Sequence, residues 1–371
     1  MTKNKSISAT TYAHLCDDVL NIIFNFLPLI DIFSIKLLNK YYEKFIDTDF
    51  MLENFVHSIV NGIIIKKYGK YLKKIIIRQR DNTFECDKLA DKELKYIPNI
   101  NILVLSHNNN ITDEGLKYIP SVQYLNLHMN TLITDKGLKF IPNIQYLDLY
   151  FNTLITDEGL KFIPDIKYLD LSLNKLITNE GLKFISNVQC LKLYYNKSIT
   201  NDGLKFISNI QELCLHNNNN ITDEGLKNIS NIKELCLRNN TNVTNEGLKY
   251  ISNIKYLCLH GNINITDDGL KIIPHIIGLS IPNNTKITDE GLKFISSVRI
   301  LCLCGDTKIT DEGLKYIPDI RTLGLYNNTN ITDEGLKFIP NIRELCLHKN
   351  TNITDSGLKY IPNIKTLNDL R

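Results

Sequence analysis

Five cysteines, Cys214, Cys236, Cys258, Cys302 and Cys346, fall on one 22-residue register, and His216, His260 and His348 each follow a member of that set by two residues. Thiolate and imidazole are the ligands zinc prefers, and a closed site needs about four of them. On adjacent parallel strands, roughly 4.8 Å apart, such groups would converge. Arg238 puts a fixed positive charge in the middle of the set, however, and the cysteine slot holds Val104, Asn126 or Gly324 in other copies, as a floor of small side chains would. The expectation is therefore no metal and no cofactor. Disulfides between neighbouring copies are not expected either. No secretory leader is read at the N-terminus, and thiols of a reducing compartment stay free.

Other chemistry is harder still to place. Carboxylates such as Asp113 and Glu114 return in copy after copy, whereas a general acid and its base form a unique pair. The glycines are single and periodic, unlike a loop that cradles phosphate. Cys16 lies in a helix-start region with no partner base to name. No catalytic residue is expected, and the chain reads as a non-enzyme.

The elements that position these residues are repeats. Gly115, Gly137, Gly159, Gly181, Gly203, Gly225, Gly247, Gly269, Gly291, Gly313, Gly335 and Gly357 stand 22 residues apart without insertion or deletion. Between them runs I-T-D-E-G-L-K-x-I-P-x-I-x-x-L-x-L-x-x-N-x-x. Leu103 and Leu105 alternate with period two, which predicts a short strand with leucines inward. Thr112 is placed to cap a short helix, Asp113 and Glu114 favour its positive end, and Ile111 can staple onto Leu116. Pro120, or Ser186 in later copies, should end it, and the glycine should let neighbouring coils approach closely. No coil can bury both its faces alone, so stacking is obligatory.

The run Ile100-x-x-Leu103-x-Leu105-x-x-Asn108, returning through Ile342-x-x-Leu345-x-Leu347-x-x-Asn350, resembles the signature of leucine-rich repeats. The resemblance implies an α/β solenoid of 22-residue repeats, a horseshoe in which an asparagine ladder joins the coils. Its slot is asparagine throughout except at Asp306. Leu72-x-x-Ile75-x-Ile77-x-x-Arg80 is an imperfect copy, read as a capping coil.

The first residues obey another pattern. Leu15-Cys16-Asp17-Asp18-Val19-Leu20-x-x-Ile23-Phe24-x-Phe26-Leu27-Pro28 has an acidic helix start and an apolar face at helical spacing. Asp31-Ile32-x-Ser34-Ile35-x-Leu37-Leu38 gives a second helix, and a third carries Tyr42. This order resembles the F-box, a small all-α module of three helices, with Cys16 where proline is usual and Tyr42 where tryptophan is usual. The organisation expected is an F-box-like domain over 1–50, a connecting helix and capping repeat over 51–92, and the repeat array over 93–371. An F-box ahead of leucine-rich repeats resembles the substrate adaptors of cullin-based ubiquitin ligases. It implies a Skp-binding face of Leu15, Val19, Leu20, Ile23, Leu27, Pro28, Ile32 and Leu38, with an unknown protein as the ligase target. The abundance of Ile, Asn, Lys and Tyr in near-identical copies resembles the F-box repeat proteins of giant amoebal viruses.

Within the array, scaffold slots hardly change, while strand positions facing away from the leucines vary. These would line the concave face, and Tyr124, Tyr146, Tyr150, Tyr168, Tyr194, His216, Arg238, Tyr256, His260 and Tyr326 are the residues expected to contact the target. Tyrosine, histidine and arginine make large, directional contacts. The first part of the face is aromatic, with Phe151 counted among its rings and Asp148 and Asp170 beside them. The later part sets Lys233, Arg238, Lys255, Arg299, Arg321, Arg343 and Lys365 against Glu212, Glu234 and Glu344. The Lys117, Asp113 and Glu114 columns read as a solvated outer face of cancelling charge. A formal net charge of +3 over 371 residues gives no nucleic-acid footprint. No eighteen-residue apolar run occurs, so no membrane partner is expected, and the expected location is cytoplasmic or nuclear.

Overall fold

The computed structural model describes residues 89–305 and 307–368, together with the backbone of 74–77. The F-box-like segment with the residues expected to face Skp, from Leu15 to Leu38, and the connecting helix expected after residue 50 lie outside the described residues.

The chain is a leucine-rich-repeat solenoid. Short strands stack in chain order into one fourteen-stranded sheet, every pair parallel and in register, as in Tyr124↔Tyr146, Leu125↔Leu147 and Asn126↔Asp148. The strand of the imperfect copy, Lys74–Ile77, adds to the sheet with Ile75 opposite Leu103 and Ile77 opposite Leu105. Period-two alternation turns Leu125 and Leu127 inward, where both are fully buried, and leaves Tyr124, Asn126 and His128 on the open face. From the return side, Ile111, Leu116, Ile119 and Val122 fill the same continuous core.

The return helix is one turn, Asp113–Leu116, with Thr112 in extended conformation accepting from Glu114 N–H. Its continuation depends on one atom. Copies with Ser186, Ser208, Ser230, Ser252 or Ser296 run on into a 3-10 turn, such as Lys183–Ile185. Copies with proline, such as Pro120, lack that 3-10 turn, because proline has no N–H to close the next bond, although in the Pro274 copy the α-helix itself extends over Asp267–Ile272.

Three side-chain ladders tie coil to coil. In the first, Asn130 Nδ2 donates to the carbonyls of Asn108 (2.8 Å) and Ile111 (2.9 Å), while its Oδ1 accepts from the N–H groups of Leu132 and Ile133. The asparagines are fully buried, so a complete bonding set is what makes them tolerable. The second ladder overturns the expectation that the Asp113 column is merely a solvated helix face. Asp113 is half-buried and accepts the backbone N–H of Thr134 at 2.8 Å and its hydroxyl at 2.5 Å. Where Asn179 replaces the aspartate, its amide donates to Thr200 Oγ1 and its oxygen still accepts Thr200 N–H. On the third, lysines pair within the helix, as Lys227 with Glu224 at 2.6 Å, and lie over an aromatic ring of the next coil, as Lys227 over Tyr250 at 5.1 Å.

The periodic glycine is explained by the second ladder. A Cβ on Gly225 would come within 2.3 Å of Asn201 Oδ1, and one on Gly137 within 2.4 Å of Asp113 Oδ1. Close approach between coils is thus a requirement of the Asp–Thr bond, as the spacing suggested.

Candidate concave recognition face

Three parallel columns of side chains make the open face of the sheet, one before each first inward leucine, one between the leucines and one after. Along the first column, Tyr124, Tyr146 and Tyr168 are stacked ring on ring, with centroids 3.8 and 3.9 Å apart and planes within 9°. In-register strands enforce this spacing, and Lys192 closes the stack by lying 5.1 Å over the Tyr168 ring. Burial pushes the Tyr146 and Tyr168 phenols well above the usual range, so they act as donors and apolar surface.

Beside the stack, Asp148 and Asp170 are almost wholly buried, at 8% and 7% exposed. Asn126 Nδ2 donates to Asp148 at 3.0 Å, and both carboxylates accept the N–H two residues on, from Tyr150 and Ser172. Burial raises the Asp170 pKa, with its hydrogen bonds to Ser172 opposing. These aspartates hold the strand ends and offer little free charge to a partner.

The third column carries His128 stacked on Tyr150 at 4.5 Å, Tyr194 edge-on to His216 at 5.7 Å, then Arg238, His260 and Tyr326, the last stacked with His348 at 5.0 Å. Burial and the Arg238 charge hold His216 and His260 below their ordinary pKa, so both are neutral at pH 7. All ten residues expected to contact a target therefore lie on this face, Tyr256, Tyr326 and Arg238 exposed and the others half-buried. Phe151 does not join them. It comes after Tyr150 in a left-handed turn at φ 70°, 43% exposed, beyond the end of the strand.

That turn was missed in the sequence, although Gly261, Gly305 and four asparagines in the same slot signal it in half the copies. His107, Met129, Phe151, Leu173, Tyr195, Asn217, Asn239, Asn283, Asn327 and Lys349 all have positive φ, a conformation that large side chains avoid. The coil-to-coil bond from Met129 N–H to Tyr150 O at 2.9 Å offsets the strain and recurs along the column. Two residues past the buried asparagine, Asn220 and Asn242 donate to the carbonyls of Lys197 (2.5 Å) and Asn219 (2.5 Å). The same slot holds Leu132, Leu154 and Leu176, each at least 40% exposed.

The cysteines do share one column. Cys214, Cys236 and Cys258 are half-buried on adjacent strands. Hydrogen bonding to Cys236 and burial push Cys258 far up, while hydrogen bonding to Cys236 pulls Cys214 down. Cys302 and Cys304 approach to 3.1 Å between sulfurs, and the bond from Cys304 pulls Cys302 down to about 6. Among the described residues, no group of three or more His, Cys, Asp or Glu is placed to hold a metal ion. Among them, too, no helix is long and apolar enough to cross a membrane.

A parallel sheet stacked coil on coil with a varied open face is the architecture of a leucine-rich-repeat solenoid. The Leucine Rich repeat family matches residues 96–119, 118–141, 140–163, 164–186 and 209–230, and the F-box domain family matches residues 13–50. The chain thus carries an F-box domain ahead of leucine-rich repeats. No curated protein matches the sequence. Among solved structures, the Rad7 and Elc1 complex of yeast is similar with a TM-score of 0.61 at 16% identity, over 98% of each chain. An internalin from Listeria monocytogenes gives 0.56 at 19% identity, over 89% of this chain and 97% of that one. The TLR13–ssRNA13 complex gives 0.52 at 16%, over 81% of this chain and 51% of that one. At these identities the likeness is one of fold alone.

Proposed function

We propose that the chain is the substrate-recognition adaptor of a cullin-based ubiquitin ligase. Its F-box docks on a Skp-type subunit, and its concave face holds the protein to be modified. The observation that carries this is the F-box match at 13–50 joined to a solenoid whose varied surface is the open face of its sheet. The contribution is proximity, because holding a target beside the ligase raises its effective concentration without new chemistry. The cysteines described are free thiols, which suits the cytoplasm or nucleus. If the chain is of the giant-virus type its composition resembles, the Skp and cullin subunits belong to the host.

The anchors would be Leu15, Val19, Leu20, Ile23, Leu27, Pro28, Ile32 and Leu38, with apolar burial supplying the affinity. The test is binding of the full chain to a purified Skp-type subunit. Micromolar or tighter binding is expected, and replacing Leu27 and Pro28 by alanine should weaken it by roughly 2–4 kcal/mol, as at other buried anchors. Absence of binding at micromolar concentrations would remove the ligase link. It would leave the second reading, a binding scaffold whose N-terminal helices act only as a cap, which the departures at Cys16 and Tyr42 favour.

A further inference from the structure

Mid-array, the open face forms a shallow depression of about 380 Å³ crossing the strands from Cys190 to Ile300. Its floor is the column of half-buried thiols Cys214, Cys236 and Cys258, running on to Ser280, and Gly278 lies in the column beside it. Tyr256 leans over that glycine, so that a Cβ there would meet the ring at 2.5 Å. The thiol stretch of the floor is therefore soft, with Lys192 a cation in the lining beside Cys214.

Opposite charge stands on its two sides. On one, Glu212 and Glu234 are exposed on paired strands, directly opposite each other. Among the described residues, neither carboxylate makes an ion pair within 4.0 Å. Lys192, the cation beside them, is turned onto the Tyr168 ring. On the other, outside the lining itself, Arg238 is exposed between His216 and His260, again with no carboxylate in reach among the described residues. On the outer face, by contrast, Lys–Glu pairs recur from coil to coil. Unpaired charge of two signs across one depression is what complementarity to a partner requires.

We infer that this depression binds an extended peptide segment with a basic side chain set against Glu212 and Glu234, an acidic one against Arg238, and an apolar one between them on the thiol floor. The inference rests on the concave face being the target-binding surface and adds the chemistry of the target. Glu234 and Arg238 are four strand residues apart, about 13 Å at 3.3 Å per residue, a span that a peptide's oppositely directed side chains cover and a single zwitterion does not. A nucleic-acid backbone is disfavoured because its phosphates would meet the paired glutamates. The raised pKa of Glu234, from burial and then from the Glu212 charge, marks two carboxylates that gain from a shared cation.

The experiment is selection of a phage-displayed random peptide library on the immobilised full chain, repeated on E212Q/E234Q, R238Q and the charge-reversed E212K/E234K. Wild-type selection should enrich peptides with a basic and an acidic residue flanking an apolar one. E212Q/E234Q should lose the basic preference and keep the acidic one, R238Q the reverse, and E212K/E234K should replace the basic residue by an acidic one. A synthetic consensus peptide should bind each neutralised variant about tenfold more weakly, the size of one lost charge contact. Enrichment with no charge signature overturns the proposal, as does a signature unmoved by the variants or no enrichment at all. If enriched peptides depend instead on Tyr124, Tyr146 and Tyr168, the concave face still binds the target but this depression does not. Loss of binding only on substitution of outer-face lysines would overturn both. Self-association of the chain abolished by R238E, without peptide enrichment, would overturn the peptide assignment and give the depression to a second copy.

Discussion

The carboxylate of Asp113 holds both the backbone N–H and the hydroxyl of Thr134, 21 residues on, at 2.8 and 2.5 Å. Thr134 in turn caps its own helix by accepting from Lys136 N–H. One side chain thereby joins two coils and fixes where the next helix begins, and Gly137 is the residue that leaves it room.

Asp113→Ala should remove both bonds and leave Thr134 N–H short of a partner, at a cost of about 2–3 kcal/mol. Asp113→Asn should cost less than about 1 kcal/mol, since Asn179, Asn201 and Asn245 serve the same contact in other coils. Denaturant unfolding of the three proteins measures both values, and equal losses for the two variants would show that the charge, not the geometry, matters.

Gly225→Val puts two methyls and a Cβ where Asn201 Oδ1 already stands 2.3 Å from the added carbon. Overpacking of this kind costs about 3 kcal/mol and splits the stack between coils. An unchanged melting temperature would refute the close-approach explanation.

Leu154→Asn should be neutral or stabilising by about 0.5–1 kcal/mol. The new amide would take the place Asn220 and Asn242 hold, donating to the carbonyl of the preceding coil, while a leucine 42% exposed leaves water. Clear destabilisation would mean that Leu154 packs on something outside the described residues.

The histidines give the pH dependence a sign. His216 and His260 have folded pKa values below the ordinary 6.5 through burial and the Arg238 charge. The unfolded chain therefore takes up protons first on acidification. Their contribution is complete above pH 6.5 and is lost as pH falls from there through the lower folded values. Unfolding free energies at pH 7.5 and 5.5 should differ less in the H216N/H260N variant than in the wild type; no difference between the proteins would contradict the assignment.

Tyr150, Tyr194, His216 and Arg238 changed together to alanine should abolish target capture while leaving Skp binding intact, as none is an inward leucine. Lys161→Gln and Lys183→Gln should spare both activities, with a modest loss of stability, because these lysines lie over Phe184 and Phe206 at 5.0 and 5.1 Å. Capture lost in the lysine variants and kept in the alanine variant would put recognition on the outer side.

Much of this molecule is determined by the sequence alone. A 22-residue period without insertions leaves only stacking in register, and period-two leucines decide which face of each strand is core. Those two facts give the stacking and the membership of the open face, the Thr112-Asp113-Glu114 order gives the cap, and the asparagine ladder came with the resemblance to leucine-rich repeats. What the repeat pattern could not decide is which partner a polar side chain chooses when two are in reach. Asp113 beside a helix N-terminus satisfies the dipole equally well in solvent, and only the stacked neighbour shows that its oxygens belong to Thr134. The left-handed turn at Phe151 is announced only by other copies, through Gly261 and Gly305, and a bond to the next coil is what lets a phenylalanine take it. The unpaired charge flanking the mid-array depression is also a tertiary fact: Glu212 and Arg238 lie on different coils, and only the stack sets what can reach them.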